Sequence, residues 1–381
     1  MRVKVMSTVL GAGFSALSLV ALSACSITAP EPLEDATLGC MISAPAGFDD
    51  HSAGALTLAE TELARSAGLF SATSSQRVSN SATTSAALKR MSDQDCALTT
   101  VLGPGGADEL GAHARSNPDD IFLGVASGHK DFPDNVLSID FDLVPPAFIA
   151  GYIAATASET GEVGALVSQG FPQAEEILSA FDAGVDLYND EADDDVDGVK
   201  SHRESAVDGR TVADTRDEGR AFFESAHDSD VDVLVPFGSA AAMGVVTAAT
   251  DTLQSLRIQE PEEDGDEERV LPKIIWYGAS GAFSDTIIAT IEPNIRRGLR
   301  SMFAEWPQSK NPDEVPEASK KDPVDMGGFL VTDRHYKGTI DNGGVGIAAE
   351  DGFLSRVSDA GRSITDLRER IKSGDIDPDK S

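Results

Sequence analysis

Residues 136–160, VLSIDFDLVPPAFIAGYIAATASET, contain the pattern that decides the fold class. The continuous apolar run VLSIDF predicts a strand that is covered on both faces of its sheet. Pro145 and Pro146 then mark a helix start, because proline fits the first turn of a helix, and apolar residues continue at helical spacing. The next apolar run, EVGALVS (162–168), follows directly. This strand, helix and strand order predicts parallel sheets joined by crossover helices.

The same alternation of strand and helix patterns extends along the chain in both directions. Further predicted strands are LGCMISA (38–44), SQRVSNS (75–81), CALTTVLG (96–103), IFLGVAS (121–127), VDVLVPFG (231–238) and KIIWYGA (273–279). Further predicted helices are 55–69, 172–188, 217–228 and 292–306. A chain of 381 residues with so many parallel strands usually divides them between two sheets. We therefore predict an α/β protein with two doubly wound sheets.

Two facing sheets of this kind predict a ligand cleft, because doubly wound sheets bind ligands at the carboxyl ends of their strands. The candidate ligand-binding residues are Ser43, Phe48, Asp50, Ser52, Asp140, Phe171, Phe237, Gly238, Ser239 and Tyr277. The three phenylalanines among them are equally well explained as packing residues. Asp140, at the end of its strand, is expected to bind either the ligand or the hinge backbone.

The N-terminus has the pattern of an export signal. Arg2 and Lys4 precede an apolar run, 9–24, which is shorter than a bilayer-spanning helix and is diluted by Gly and Ser. Its end, LSAC, resembles a bacterial lipobox, so we predict a signal peptide over 1–24, an acylated Cys25 and a flexible tether over 25–36. The expected location is the extracytoplasmic face of the cell membrane. A plain signal peptide with a chance cysteine is the alternative.

The other two cysteines, Cys40 and Cys96, lie at the first and third predicted strands. If the first sheet has the order 2-1-3-4-5, these strands are neighbours and the two residues lie within the short Cα separation that a disulfide needs. An exported compartment permits such a bond. The alternative is a pair of unrelated buried thiols.

The formal net charge of −34 excludes several partners. It argues against nucleic-acid binding through phosphate contacts and against a polybasic membrane mode, so the lipid anchor would be the only membrane contact. No Walker loop, HExxH, CxxC or GxSxG motif is present, and the six histidines are scattered. We therefore expect neither catalysis nor an organic cofactor.

One acidic segment, DDDVDGVKSHRE (193–204), fits the spacing of a calcium-binding loop. The side chains of Asp193, Asp195, Asp197 and Glu204 and the carbonyl of Val199 would supply the oxygens. Lys200 stands where such loops place an apolar residue. The alternative is a solvated acidic loop, as blocks of like charge usually are.

Several segments together resemble the BMP family of basic membrane lipoproteins, typified by the purine nucleoside receptor. They are NVLSIDFDLVPPAFIAGYIAA (135–155), VGALVSQGFPQAEEILSAFDAGV (163–185), VDVLVPFGSAAAMGVVTAA (231–249), YKGTIDNGGVGIA (336–348) and ITDLRERIKSGDIDP (364–378). The resemblance implies a type I periplasmic-binding fold, with two lobes joined by three crossovers. It implies a monomeric receptor that passes a small ligand, commonly a nucleoside, to ABC permease subunits. The expected division is 37–143 plus 280–325 for the first lobe, 144–279 plus 326–350 for the second, and 351–381 for a closing helix and tail.

The first loop of the family resembles SAPAGFDDHSAG (43–54), with matches at Gly47, Asp50 and Ser52. The family's base-pairing Asp falls at Ala44, and its stacking Phe and Asn fall at Ala53 and Gly54. The family's ribose-binding Asp falls in GASG (278–281), and a following Lys falls near Glu292. The resemblance favours a nucleoside ligand. The alternative is a non-transport sensor or a degenerate receptor with a different ligand.

Overall fold

The structure is a computed structural model that describes residues 37–128, 131–168, 171–192, 198–206, 212–238, 240–258, 270–279, 283–309, 334–350 and 360–378. The strands are β1 (Leu38–Ile42), β2 (Ala72–Gln76), β3 (Cys96–Leu102), β4 (Phe122–Val125), β5 (Val136–Phe141), β6 (Glu162–Ser168), β7 (Lys200–Ala206), β8 (Val233–Phe237), β9 (Lys273–Tyr277), β10 (Ile287–Pro293), β11 (His335–Gly338) and β12 (Val345–Ala349). The helices are α1 (Ala53–Ser66), α2 (Ser81–Asp93), α3 (Ala107–Ser116), α4 (Val144–Ala157), α5 (Ala174–Glu191), α6 (Val212–His227), α7 (Ala240–Ile258), α8 (Ile295–Ser309) and α9 (Ala360–Ser373).

These strands form two six-stranded sheets, one in each lobe. The first has the order β11-β5-β4-β3-β1-β2 and is parallel throughout. The second has the order β12-β10-β9-β8-β6-β7 and is parallel except for β12, which runs antiparallel to β10. The predicted α/β class, the two doubly wound sheets and the 2-1-3-4-5 order are thus confirmed.

The chain crosses between the lobes three times. It first passes from β5 to α4, which packs on α5 and against β6 and β8. It then passes from β10 to α8, which packs on α1, β5 and β11. The third crossing joins β11 to β12 through residues 339–344. These three connections form the hinge.

The positions of the second and third crossings correct the expected lobe boundaries. The sequence predicts that residues 280–325 belong to the first lobe, but β10 pairs with β9 in the second sheet. It predicts that residues 326–350 belong to the second lobe, but β11 pairs with β5 in the first sheet. The reason is that IIATIEP (287–293) forms one further strand of the second lobe before the chain returns, so both later crossings fall closer to the C-terminus than predicted.

Two glycines allow α4 and α5 to pack unusually closely. A Cβ at Gly151 would lie 2.0 Å from the carbonyl oxygen of Phe181, and one at Gly184 would lie 2.0 Å from that of Phe148. Only a hydrogen in place of a side chain fits there. This contact holds the first helix of the second lobe against the next helix along the chain, and α4 is buried along nearly its whole length.

Cys40 and Cys96 form a disulfide with a Cα–Cα distance of 5.9 Å. It joins β1 to β3 at the far end of the first sheet from the cleft, since both strands run toward the cleft at their carboxyl ends. Cys25 and the predicted signal peptide and tether lie outside the described residues. Within the described part of the chain, no helix combines the length and the apolar character needed to cross a bilayer.

Candidate functional site

Several loops where the carboxyl ends of the two sheets meet contain residues with positive φ. His51, Ala126 and Gln173 have φ values of 49°, 51° and 60°, and Gly238 and Gly278 have values of 125° and 157°. These residues follow β1, β4, β6, β8 and β9 respectively. Positive φ is uncommon for non-glycine residues, and such strain tends to occur at functional sites. The predicted cleft therefore contains several constrained backbone positions, and Asp95, Asp230 and Arg334 add others at the amino ends of strands.

Two contacts between described residues of the lobes lie across this cleft. In the first, the imidazole ring of His51 stacks on the ring of Phe283 with centroids 4.1 Å apart and planes at 12°. The backbone N–H of Ala279 also donates to the carbonyl of His51 at 2.9 Å. In the second, Gly128 approaches Pro172 so closely that a Cβ would lie 2.2 Å from the proline Cγ. These contacts hold the two lobes in a closed arrangement.

A cavity of about 230 Å³ lies beside the second contact and is lined by both lobes. Asp140, His335 and Lys337 come from the ends of β5 and β11 in the first lobe. Phe171, Glu176 and Tyr277 come from the second. The remaining lining residues are Ala126, Gly128, Phe141, Leu143, Pro172 and Gln173. We call this the smaller cavity.

The charged groups of the smaller cavity are held by specific contacts. Oδ1 of Asp140 accepts the N–H of Gly128 at 2.7 Å, and Oδ2 lies 3.9 Å from Nδ1 of His335. That nitrogen is hydrogen-bonded to the Ser138 hydroxyl at 2.6 Å. Nζ of Lys337 pairs with the Asp142 carboxylate at 3.1 Å.

Aromatic rings form one wall of the smaller cavity. The Tyr277 ring lies 5.7 Å from that of Phe171 at 89° and 5.8 Å from that of Phe237. Burial raises the pKa of Tyr277, and the negative charges of Asp50 and Asp140 raise it further. The Tyr277 hydroxyl therefore keeps its proton above the pH at which tyrosine usually ionises, and Asp50 and Asp140 place negative charge near it.

A larger cavity of about 610 Å³ lies beside the later two crossovers. Its charged lining residues include Glu292, Arg296, Arg368 and Lys372, and the backbone of 278–279 contributes as well. Burial raises the pKa of Glu292, the nearby Glu350 raises it further, and Arg296 opposes both effects. We call this the larger cavity. Its volume is in the range typical of small-molecule sites.

The structure brings three of the predicted ligand residues together, since Asp140, Phe171 and Tyr277 all line the smaller cavity. Phe237 contacts Tyr277 but is fully buried in the core. Gly238 is also buried, and a Cβ there would lie 2.2 Å from the Ser168 hydroxyl. Ser239 lies outside the described residues.

The predicted residues of the first loop have local structural contacts instead. Both carboxylate oxygens of Asp50 accept backbone N–H groups, from Ser52 at 2.9 Å and from Gly54 and Ala55 at 3.0 Å. Asp50 is only 1 % exposed, so it holds the start of α1 rather than lining either cavity. The Ser43 hydroxyl accepts the N–H of Val78 at 3.3 Å.

Phe48, the last of the predicted ligand residues, is 5 % exposed and belongs to the hydrophobic core. The Arg77 guanidinium lies 5.9 Å from the centroid of its ring. The side chain does not line either cavity. Its burial therefore fits the packing alternative.

The sequence did not single out several residues that line the smaller cavity. Lys337 and His335 lie on β11, a four-residue strand of mixed polarity, and Glu176 lies in the first turn of α5. Only the late strand pair of the resemblance, YKGTIDNGGVGIA, pointed to the β11 region. The positions of His335 and Lys337 depend on how the chain passes through the third crossover, and no local sequence pattern shows that path.

The predicted calcium loop is only partly covered by the structure. Asp193, Asp195 and Asp197 lie outside the described residues. The carbonyl of Val199 accepts Nδ2 of Asn189 at 2.9 Å, and Glu204 is exposed within β7. Among the described residues, no group of three or more metal-ligating side chains is present. Calcium binding at this segment stays a prediction.

Two α/β lobes that close on a cleft through three crossovers define the type I class of periplasmic-binding proteins. A solute-binding protein of an ABC transporter system from Aeropyrum pernix K1 has a similar structure, with a TM-score of 0.67 and 15 % identity over 90 % of this chain and 92 % of that one. A second from Conexibacter woesei DSM 14684 gives 0.54 and 14 %, over 90 % and 98 %. A sugar transporter from Clostridium phytofermentans gives 0.53 and 11 %, over 83 % and 100 %.

The family assignment comes from the sequence, since likenesses at such low identity establish only the fold. The chain belongs to the Bmp family, described as PnrA-like ABC transporter substrate-binding proteins, whose sequence pattern matches residues 41–259. This match spans more than half of the chain. No curated protein sequence matches the chain significantly.

Proposed function

We propose that this protein traps a small polar ligand between its lobes and delivers it to the permease of an ABC importer. The supporting observation is that both cavities are lined by residues of the two lobes, beside the contacts that close them. A ligand that touches both lobes stabilises the closed form, because it binds that form better than the open one. The permease would then recognise the closed form.

The family favours a nucleoside as the ligand, and we place it in the larger cavity. Gly278 and Ala279 line that cavity and belong to the segment where the resemblance places the family's ribose-binding Asp, and Glu292, which also lines it, lies near the position of the family's following Lys. The position of the family's Asp has lost its carboxylate, but Glu292 introduces one nearby. The carboxylate of Glu292 can accept hydrogen bonds from sugar hydroxyls, just as the carboxylate of an Asp can.

The ligand is tested by a thermal-shift screen of the soluble Cys25→Ser protein with nucleosides, sugars and amino acids. We expect nucleosides to raise the melting temperature and Glu292→Gln to weaken that effect. Asp285→Asn is the matched control, because the exposed Asp285 pairs with the exposed Arg257 and does not line the larger cavity. A flat response to every nucleoside would refute this ligand class.

We further propose that Cys25 carries the lipid that anchors the protein to the extracytoplasmic face of the membrane. Two or three acyl chains bind a bilayer stably, where a single chain does not. Expression with labelled palmitate is expected to label the wild-type protein and leave Cys25→Ser unlabelled. Equal labelling of both proteins would contradict the assignment.

A further inference from the structure

The lining of the smaller cavity has a chemistry that the nucleoside proposal does not use. Three aromatic side chains, Phe141, Phe171 and Tyr277, and two carboxylates, Asp140 and Glu176, surround a space of about 230 Å³. We propose that this cavity binds a small organic ammonium ion whose nitrogen is methylated or quaternary.

The aromatic walls suit such an ion because a ring face attracts a cation within about 6 Å of its centroid. The rings of Phe171 and Tyr277 are nearly perpendicular, with centroids 5.7 Å apart, so they present walls in two directions. The contact between Gly128 and Pro172 closes the cavity at one side. Exclusion of water there would strengthen the attraction, since cation–π contacts gain most when they are desolvated.

The charges around the cavity also favour a cation. Asp140 and Glu176 are both acidic, and the charge of Lys337 is balanced by Asp142 at 3.1 Å. The negative charge of Asp140 is one cause of the raised pKa of Tyr277, which is consistent with a negative potential at this point. The net charge of −34 would also draw cations toward the protein from a distance.

The degree of substitution on the nitrogen follows from the aromatic share of the lining. An unsubstituted ammonium is best held by several hydrogen-bond acceptors when it leaves water, and Oδ1 of Asp140 already accepts the N–H of Gly128. Methyl groups need no acceptor and pack against rings, so a methylated nitrogen uses the walls formed by Phe141, Phe171 and Tyr277 as well as the carboxylates.

The test is isothermal titration calorimetry of the soluble Cys25→Ser protein with choline and with 3,3-dimethyl-1-butanol. The alcohol has the same shape as choline, with carbon in place of the charged nitrogen. We expect choline to bind at least about tenfold more tightly than the alcohol. Glu176→Gln and Phe171→Leu should each weaken choline binding about threefold or more, and Glu176→Gln should leave the alcohol unaffected.

Glu175→Gln is the matched control, because Glu175 is exposed in the same first turn of α5 but does not line the cavity. Equal affinities for choline and the alcohol would overturn the inference, as would equal effects of Glu175→Gln and Glu176→Gln. This inference shares the cleft with the proposed function, but the two fail separately. Loss of nucleoside binding alone, through Glu292→Gln, leaves the ammonium site standing, and loss of choline binding alone leaves the nucleoside receptor standing.

Discussion

The disulfide between Cys40 and Cys96 should supply a large share of the stability of the first lobe. The bond spans 56 residues of sequence, a segment that contains α1, β2 and α2. Both cysteines are buried, and they pack in a core cluster with Leu88 and Met91. Breaking the bond frees this segment in the unfolded chain but changes few contacts in the folded one.

The size of the effect follows from the length of the closed loop. In the chain-entropy treatment, a cross-link that closes a loop of this length lowers the entropy of the unfolded state by about 14 cal/mol/K. At room temperature this is about 4 kcal/mol of stability. Stabilities of whole proteins are commonly about 5–15 kcal/mol. The reduced protein should therefore lose a large fraction of its free energy of unfolding.

The assay is urea unfolding of the Cys25→Ser protein, followed by far-ultraviolet circular dichroism with and without a reductant. The chain has three cysteines, so in this background the reductant acts only on the bond between Cys40 and Cys96. The variant with alanine at both positions separates loss of the bond from loss of the sulfur atoms. Free energies of unfolding that agree within about 1 kcal/mol with and without reductant would refute the reasoning.

Three further changes test the cleft. Gly128→Ala places a side chain at φ 66° and against Pro172, so it should lower the free energy of unfolding by about 1 kcal/mol or more. It should also open the lobes and so increase the radius of gyration measured by small-angle X-ray scattering. An unchanged radius would contradict this. Phe283→Ala removes the stack on His51 that joins the two lobes. Ligand affinity in calorimetry should then fall about two- to tenfold, and unchanged affinity would show that the stack does not contribute to closure. Burial raises the pKa of Tyr277, so the protonated hydroxyl contributes fully to the free energy of unfolding below the unfolded pKa of about 10. This contribution is lost as the pH rises toward the folded pKa. Urea unfolding should therefore show a steeper loss of stability above about pH 10 in the wild type than in Tyr277→Phe.

Strands that are buried on both faces were predictable from the sequence. VLSIDF (136–141) and EVGALVS (162–168) form β5 and β6 with the predicted bounds, because a strand between two helical layers must be apolar on both sides. The polar strand β7 was not predictable in this way. Residues 200–205 are all exposed at the edge of the second sheet, and only their pairing with β6 makes them a strand.

The candidate site was predictable where a residue ends a buried strand. Asp140 and Tyr277 lie at the carboxyl ends of apolar strands, and the parallel arrangement brings these strand ends to one cleft. Glu176 and Lys337 could not be found in this way, since one follows a loop and the other lies on an edge strand. Asp50 shows the opposite error, because a polar residue after a strand also serves to hold the next helix.

In the first loop, the residues that support closure of the lobes are distinct from those at the positions that face the ligand in the family. The chain matches the family at Gly47, which has a φ of 85°, and at Asp50, which accepts the backbone N–H groups at the start of α1. Together they hold His51 in the conformation that offers its carbonyl to Ala279 of the other lobe. The departures are at the family's ligand-facing positions, Ala44 among them. A protein that keeps the scaffold of closure but changes these contacts is expected to hold its ligand through other residues of the cleft, and the nucleoside and choline titrations show which of the two cavities binds a ligand.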